Sequence, residues 1–464
     1  MTRGRILDRS QLEHLMAAET AAFEQANPRS RALFEEAQGS LLDGVPMNWM
    51  VKWAGPYPLF VASASGAHFT DVDGHEYVDF CLGDTGAMAG HGPEATIRAM
   101  ERQVRRGITH MLPTEDAAAV GDELRRRFGL RYWQFTLTAT DANRFAIRLA
   151  RHITGRPKIL VHNHCYHGSV DETFAVIGAD GDAVARRGNI GKPVALAETT
   201  RVVEINDLDG LERELAHGDV AAVLIEPALT NIGIVLPEPG YHEGVRELTR
   251  RFGTLLINDE THTICAGPGG YTGAHGLSPD MLTIGKTIAG GIPAAAYGFT
   301  EAVADRVHAL IEREDCDVGG IGGTLAGNAL SLAATRATLT EVLTDEAFAR
   351  MIPLAERFEA GVNGVLGARD VPWHVTRLGA RAEYHFLPEP PRTGSEQAAA
   401  ADPELERFLH LWAMNRGVLM TPFHNMALMC PATTEADVDR HTEVFGAAVE
   451  ALFGDARTGT DAAT

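Results

Sequence analysis

Apolar and polar positions along the chain follow two periods. From residue 11 to residue 38 the sequence is Ala/Glu-rich with apolar residues at helical spacing, which predicts one or two N-terminal helices leading into the loop GVPMNWM. The next segment, FVASASGAHFTDVDGHEYVDF, alternates with a period of two on either side of VDG and predicts a hairpin over about residues 59–80. After Pro113, helical stretches such as DAAAVGDELRRRF and DANRFAIRLARHI alternate with the short apolar runs YWQFTL, KILVHN, AAVLIEP, TLLINDE and DMLTIGK. Strand and helix in alternation predict a mostly parallel sheet sandwiched by helices, an α/β architecture. Residues 339–367 read as helical, PWHVTRLGARAEYHFLP as a strand pair, and PEPPRTGSEQAAAADPE as a Pro/Ala-rich solvent loop. The pattern therefore changes twice, giving an N-terminal segment of helices and hairpin (1–80), a large domain (81–335) and a smaller C-terminal domain (336–464).

Composition narrows the function. The 464 residues are 45% apolar, enough for a large interior, and the formal charge of −21 opposes binding to nucleic acid or an anionic membrane face. A small-molecule substrate is the expectation that remains. Cys81, Cys165, Cys265, Cys316 and Cys430 are scattered, odd in number and form no CxxC pair, so a reducing cytoplasm is expected rather than a secreted disulfide framework. The opening residues MTRGRILDRSQLEHL carry charges throughout, and no run of about 18 apolar residues occurs. Export by a secretory signal and a membrane span are both unexpected, and no metal centre is expected.

Four segments carry candidate chemistry. In DMLTIGKTIAGGIP, Lys286 follows a strand and is flanked by glycines, which admit a bulky planar cofactor to the amine; a solvated surface lysine is the ordinary alternative. The strand TLLIN ends in Asp259 and Glu260, at the carboxyl edge where open α/β sheets build their sites. An acid there can keep a pyridine nitrogen protonated as an electron sink, or simply cap a turn. Thr138, Ala139 and Thr140 lead into a helix opening with Asp141, an anion site suited to a phosphate, although the same residues would serve as a plain N-cap. Tyr166-His167-Gly168 offers an aromatic face that could stack on a pyridine ring.

Taken in order, DVDGHEYVDF, GHGPEA, TATDAN, CYHG, LIEP, NDETHT, IGKTIAGG and GGTLAGN resemble the class III aminotransferases and the glutamate semialdehyde aminomutases over most of the chain. The resemblance implies fold type I of the pyridoxal 5'-phosphate transferases, with the N- and C-terminal segments forming a smaller α+β domain. It implies that Lys286 is the Schiff-base lysine and Asp259 the partner of the pyridinium nitrogen. Tyr166 matches the ring-stacking aromatic with His167 beside it, Thr138, Ala139 and Thr140 match the phosphate loop, and Glu226 of LIEP joins the cofactor-binding set. Thr324 matches a threonine that reaches the phosphate of the neighbouring subunit, which implies a homodimer with shared active sites. The sequence departs from the family where Ala139 replaces a usual glycine and where Thr261, His262 and Thr263 follow Asp259-Glu260 in place of a more apolar continuation.

By the same resemblance Trp49, Met50, Asp84, Thr85 and Phe423 are candidate substrate contacts, each of which could equally be ordinary packing. Arg381 is the candidate for a substrate carboxylate, against a structural ion pair with Glu383 two residues on. The leading expectation is a transaminase that moves an amino group from an amine or amino acid to a ketone, aldehyde or keto acid. A 1,2-aminomutase built from the same residues is the alternative, and a catalytically idle binding homologue is a third.

Overall fold

The computed structural model describes residues 7–310 and 319–454, so Cys316 lies outside the described residues. Two compact units divide the chain: the described parts of Met1–Asp84, Arg350–Pro390 and Ala400–Thr464 make one, and Thr85–Ala349 with Pro391–Ala399 make the other.

The second unit is organised by a seven-stranded sheet. Its spatial order is Tyr132–Thr136, Ala295–Phe299, Met281–Ile284, Leu255–Asp259, Val220–Ile225, Lys158–His162 and Thr200–Val203. Ala295–Phe299 runs antiparallel to both its neighbours, and every other pairing is parallel. The four strands from Ala295–Phe299 to Val220–Ile225 are buried along their whole length, whereas the edge strand Tyr132–Thr136 is largely accessible. That contrast is why the central strands are continuous apolar runs: both faces are covered and no position has to meet water. The five runs read from the sequence are all strands here. Thr200–Val203 and Ala295–Phe299 were not anticipated, because four residues with a central arginine and an Ala/Gly-rich pentapeptide both give weak strand signals.

The helix Ala139–Thr154 packs against this sheet through Ala142, Ala146, Ile147, Leu149, Ala150 and Ile153. It is capped at its start by the Thr138 side chain and stops at Gly155, whose φ of 69° reverses the chain without the strain a Cβ would bring.

In the first unit, the segment predicted as a single hairpin contains three strands, Val61–Ser65, His68–Asp71 and Glu76–Asp79. The additional reversal lies at Gly66 (φ 59°), ahead of the VDG turn. Val418–Leu419 joins this sheet in parallel. His374–Leu378 and Arg381–His385 form the expected strand pair, with Met426–Leu428 added beside the second. The stretch expected to be a solvent loop contains the helix Gly394–Ala399, tied to Glu204 through Ser395. Glu204 also accepts from the backbone N–H of Gly394, which anchors these residues to the sheet-bearing unit. Among the described residues no helix is long and apolar enough to cross a membrane.

Candidate active site

The strand Leu255–Asp259 carries its last carboxylate to the carboxyl edge of the sheet, where Asp259 is almost completely buried. A buried charge needs partners. Asp259 Oδ2 accepts from Asn143 Nδ2 (2.8 Å) and pairs with His167 Nδ1 (2.9 Å), and Oδ1 accepts from the Thr261 backbone N–H (3.1 Å). Burial opposes charge on Asp259, yet the hydrogen bond and charge of His167, with Thr261 and Asn143, hold its carboxyl below the ordinary range. Burial likewise opposes charge on His167, but Cys165 and Asp259 raise it well above its usual value. Each partner thus favours the charged form of the other against the cost of burial.

Asn143, one turn into the helix Ala139–Thr154, knits the site together. Besides Asp259 it donates to the His167 carbonyl (3.0 Å), and its oxygen accepts from the Thr283 hydroxyl (2.6 Å). Thr283 stands opposite Asp259 in the parallel register of the two strands. Three residues beyond Thr283, Lys286 opens a short 3-10 turn with φ 52°, a left-handed conformation that is uncommon for non-glycine residues. Its half-buried amine lies 2.9 Å from His262 Nε2.

The turn at Thr138 faces the Tyr166-His167-Gly168 loop. Ser169 N–H donates to the Thr140 hydroxyl (3.1 Å), and a Cβ on Gly168 would come within 2.2 Å of that oxygen, so only glycine allows this approach. Tyr166 is half-buried, its ring edge-on to Phe174 at 6.1 Å, and its backbone N–H donates to Glu226 Oε1 (2.9 Å). Glu226, buried at the end of Val220–Ile225, also accepts from Thr230; burial raises its carboxyl despite His167, Thr230 and Tyr166. Glu226 therefore orients the tyrosine loop. Ala139 sits beside Gly285: a Cβ at residue 285 would stand 3.0 Å from the Ala139 Cβ. The added methyl is accommodated by the glycine that precedes the lysine.

These residues fit a phosphorylated pyridine. Amides of Ala139 and Thr140 in the first turn of a sixteen-residue helix have no partners within that helix and favour an anion. Asp259 offers a buried negative charge, and His167 Nε2 beside it is buried without a hydrogen-bond partner among the described residues. Thr138 also serves as the N-cap of that helix, accepting from Asp141 N–H (3.2 Å). Thr324 is exposed and lines an opening of about 360 Å³ with Met111, Leu112, Phe135 and Leu332.

In the other unit, Trp49 and Phe423 meet edge to face at 6.0 Å, and Lys52 Nζ lies 5.4 Å from the Phe423 ring centre. Met50 and Asp84 are half-buried. Arg381 has no solvent exposure at all. Burial raises the neighbouring Glu383 carboxyl, but His424, then His385 and Arg381, bring it below its usual range. Sequence reading missed Asn143, Thr283 and the contacts of Thr85 and His262.

The chain matches the family model for class-III aminotransferases over residues 49–449. It is 32% identical over 422 residues to the glutamate-1-semialdehyde 2,1-aminomutase of Desulfitobacterium hafniense, covering 89% of this chain and 95% of that one. A glutamate-1-semialdehyde-aminomutase from Pseudomonas aeruginosa PAO1, solved also as a lysine-to-alanine variant in complex with PMP, is 52% identical, with a TM-score of 0.94 over 96% of this chain and 99% of that chain. An omega-transaminase from Sphaerobacter thermophilus superposes with a TM-score of 0.83 at 30% identity, over 91% of this chain and 97% of that chain. The chain therefore belongs to the class-III aminotransferase family of pyridoxal-phosphate-dependent enzymes.

Proposed function

We propose that the enzyme moves an amino group between adjacent carbons of a small amino-aldehyde, the 1,2-shift of a glutamate-1-semialdehyde aminomutase. The observation that carries this reading is the 52% identity, over 96% of the chain, to the P. aeruginosa aminomutase. When bound, pyridoxal phosphate supplies a carbonyl carbon that links to amines and a protonated pyridine that takes up negative charge. Lys286 Nζ holds that link and, once released, accepts the proton from the substrate carbon bearing nitrogen and delivers it back. Asp259 keeps the pyridine nitrogen protonated, and its own charge is set by His167 and Asn143. Tyr166, held by Glu226, would supply the aromatic contact to the cofactor, and the amides of Ala139 and Thr140 would hold its phosphate, with the Thr138 hydroxyl securing their turn.

Transamination of an amine is the second reading. It is favoured by the apolar character of the segment GVPMNWM, whose Met47 and Trp49 are exposed and which holds no arginine for a carboxylate. Trp49, Met50, Asp84 and Phe423 would then border an apolar or aromatic amine. Arg381, closed to solvent, is assigned to its charge network with Glu383 rather than to substrate.

Glutamate-1-semialdehyde given alone to the holoenzyme separates the two. The proposal expects many turnovers to the isomer with nitrogen on the adjacent carbon, without an added donor. Conversion that stops after about one equivalent, with the amino group left on the enzyme, and resumes when a carbonyl acceptor is added to take it up would establish the transaminase instead.

The working form is proposed to be a homodimer that completes each phosphate site with the partner's Thr324. Exposed Met111, Leu112 and Leu325 near Thr324 support an apolar contact there. Mixing inactive Lys286→Ala with inactive Thr324→Ala subunits should restore up to one working site per heterodimer, because one site then combines an intact lysine with an intact threonine. No recovery despite demonstrated subunit exchange would place Thr324 outside a shared site. The buried thiols Cys81, Cys165 and Cys430, which form no disulfide among the described residues, support a reducing, cytoplasmic setting.

A further inference from the structure

Past the end of the strand Leu255–Asp259 the chain turns at once, and the turn is fixed from within. The Glu260 carboxylate, fully buried, accepts from the Thr263 hydroxyl and from the backbone N–H groups of Tyr271 (2.9 Å) and Thr272 (2.6 Å). His262 sits on this turn with 5% of its surface exposed. One ring nitrogen, Nδ1, lies 3.1 Å from the Thr85 hydroxyl, and the other, Nε2, lies 2.9 Å from Lys286 Nζ. Thr85 is itself fully buried and holds φ 79°, a conformation that β-branched residues rarely adopt. The imidazole is therefore gripped at both nitrogens by residues whose backbones are both in the left-handed region.

A neutral imidazole has one N–H and one lone pair, so the bond at one nitrogen decides what the other can do. With Nδ1–H donating to Thr85 Oγ1, Nε2 presents its lone pair to the lysine. A protonated lysine can neither link to a carbonyl nor accept a proton from carbon. Moving one proton from Nζ to Nε2 leaves a neutral amine and an imidazolium whose two N–H groups meet Thr85 Oγ1 and Lys286 Nζ. The charge stays within the pair, and the reverse transfer returns the proton.

We propose that His262 is a positioning residue for Lys286, aiming its amine and acting as its first proton acceptor, with Thr85 as the anchor of the ring. This rests on the reading of Lys286 as the cofactor-linking lysine.

The test needs no natural substrate. Holoenzyme is treated with hydroxylamine, and loss of the visible cofactor band is followed; the stripped enzyme is then reloaded with pyridoxal phosphate and the return of the band is timed. His262→Ala should slow reloading by about 10²-fold, the scale of one general acid–base group, while cofactor content at saturation stays near that of the parent. Added imidazole should recover part of that rate. His262→Gln, which can hydrogen-bond the amine but cannot take its proton, should fall between the parent and His262→Ala. Thr85→Val, which keeps the imidazole and removes its anchor, should slow reloading about tenfold. Should His262→Ala fail to fold, the glutamine and valine variants decide the question. Reloading within twofold of the parent in all variants overturns the proposal. So does a loss of cofactor content that neither imidazole nor glutamine relieves, because that marks a purely structural role. If the cofactor proves to be linked to a residue other than Lys286, the underlying reading fails instead, and peptide mapping of the reduced holoenzyme distinguishes the two failures.

Discussion

Lys286→Ala is expected to abolish turnover while leaving the fold intact. The lysine supplies both the covalent link and the carrier of the substrate proton. General acid–base catalysis alone is worth about 10²–10⁴-fold, so the combined loss should exceed that range. Stability should hardly change, because the side chain is half-buried and alanine at φ 52° meets the same left-handed backbone that lysine already tolerates. Steady-state rates with saturating cofactor, paired with a thermal melt, read both quantities. Turnover within tenfold of the parent enzyme would overturn the assignment of Lys286.

Asp259 should show the second largest effect, and through two routes at once. Its carboxylate is the counter-charge of a buried His167, and removing one partner of a buried pair costs about 3–5 kcal/mol because the other is left uncompensated. Asp259→Ala should therefore lower the melting temperature even before cofactor is considered. Asp259→Asn keeps the shape and separates the second route, in which the pyridine loses the acid that keeps it protonated and carbon deprotonation slows. The asparagine variant is expected to bind pyridoxal phosphate more weakly and to respond more slowly to an amine. An unchanged rate of band loss on amine addition would remove Asp259 from the chemistry and leave it a structural ion pair.

Much of this was legible from strand ends. Asp259 and Lys286 both follow apolar runs that are strands in the structure, and the order of their segments carried the family resemblance. What stayed hidden is what holds them. Asn143 reaches Asp259 across 116 residues of sequence, Thr283 reaches Asn143 across 140, and Thr85 reaches His262 across 177. No local period records such pairings, since each is created by the sheet order. His262 stood out as a polar residue where an apolar continuation is usual, which signals a special position without revealing the partner. Arg381 shows the converse: an arginine with a glutamate two residues on is equally consistent with a substrate clamp and a buried network, and its complete burial, invisible in the sequence, is what favours the network.

The strand Ala295–Phe299 was missed for a different reason. Alanine and glycine have low strand preference, and the segment pairs only because it is packed between two established strands. Gly298 even requires its small size, since a Cβ there would come within 2.7 Å of the Trp133 ring.

The central claim, that Lys286 carries the cofactor, is tested most directly by reducing the holoenzyme with borohydride, digesting it and locating the cofactor's mass on the peptides. The chain's lysines are Lys52, Lys158, Lys192 and Lys286, so the result is unambiguous. The expected outcome is modification of the peptide containing Lys286 alone, lost in Lys286→Ala. Modification at Lys52, Lys158 or Lys192 with an unmodified Lys286, from enzyme that had shown the visible cofactor band, would contradict it.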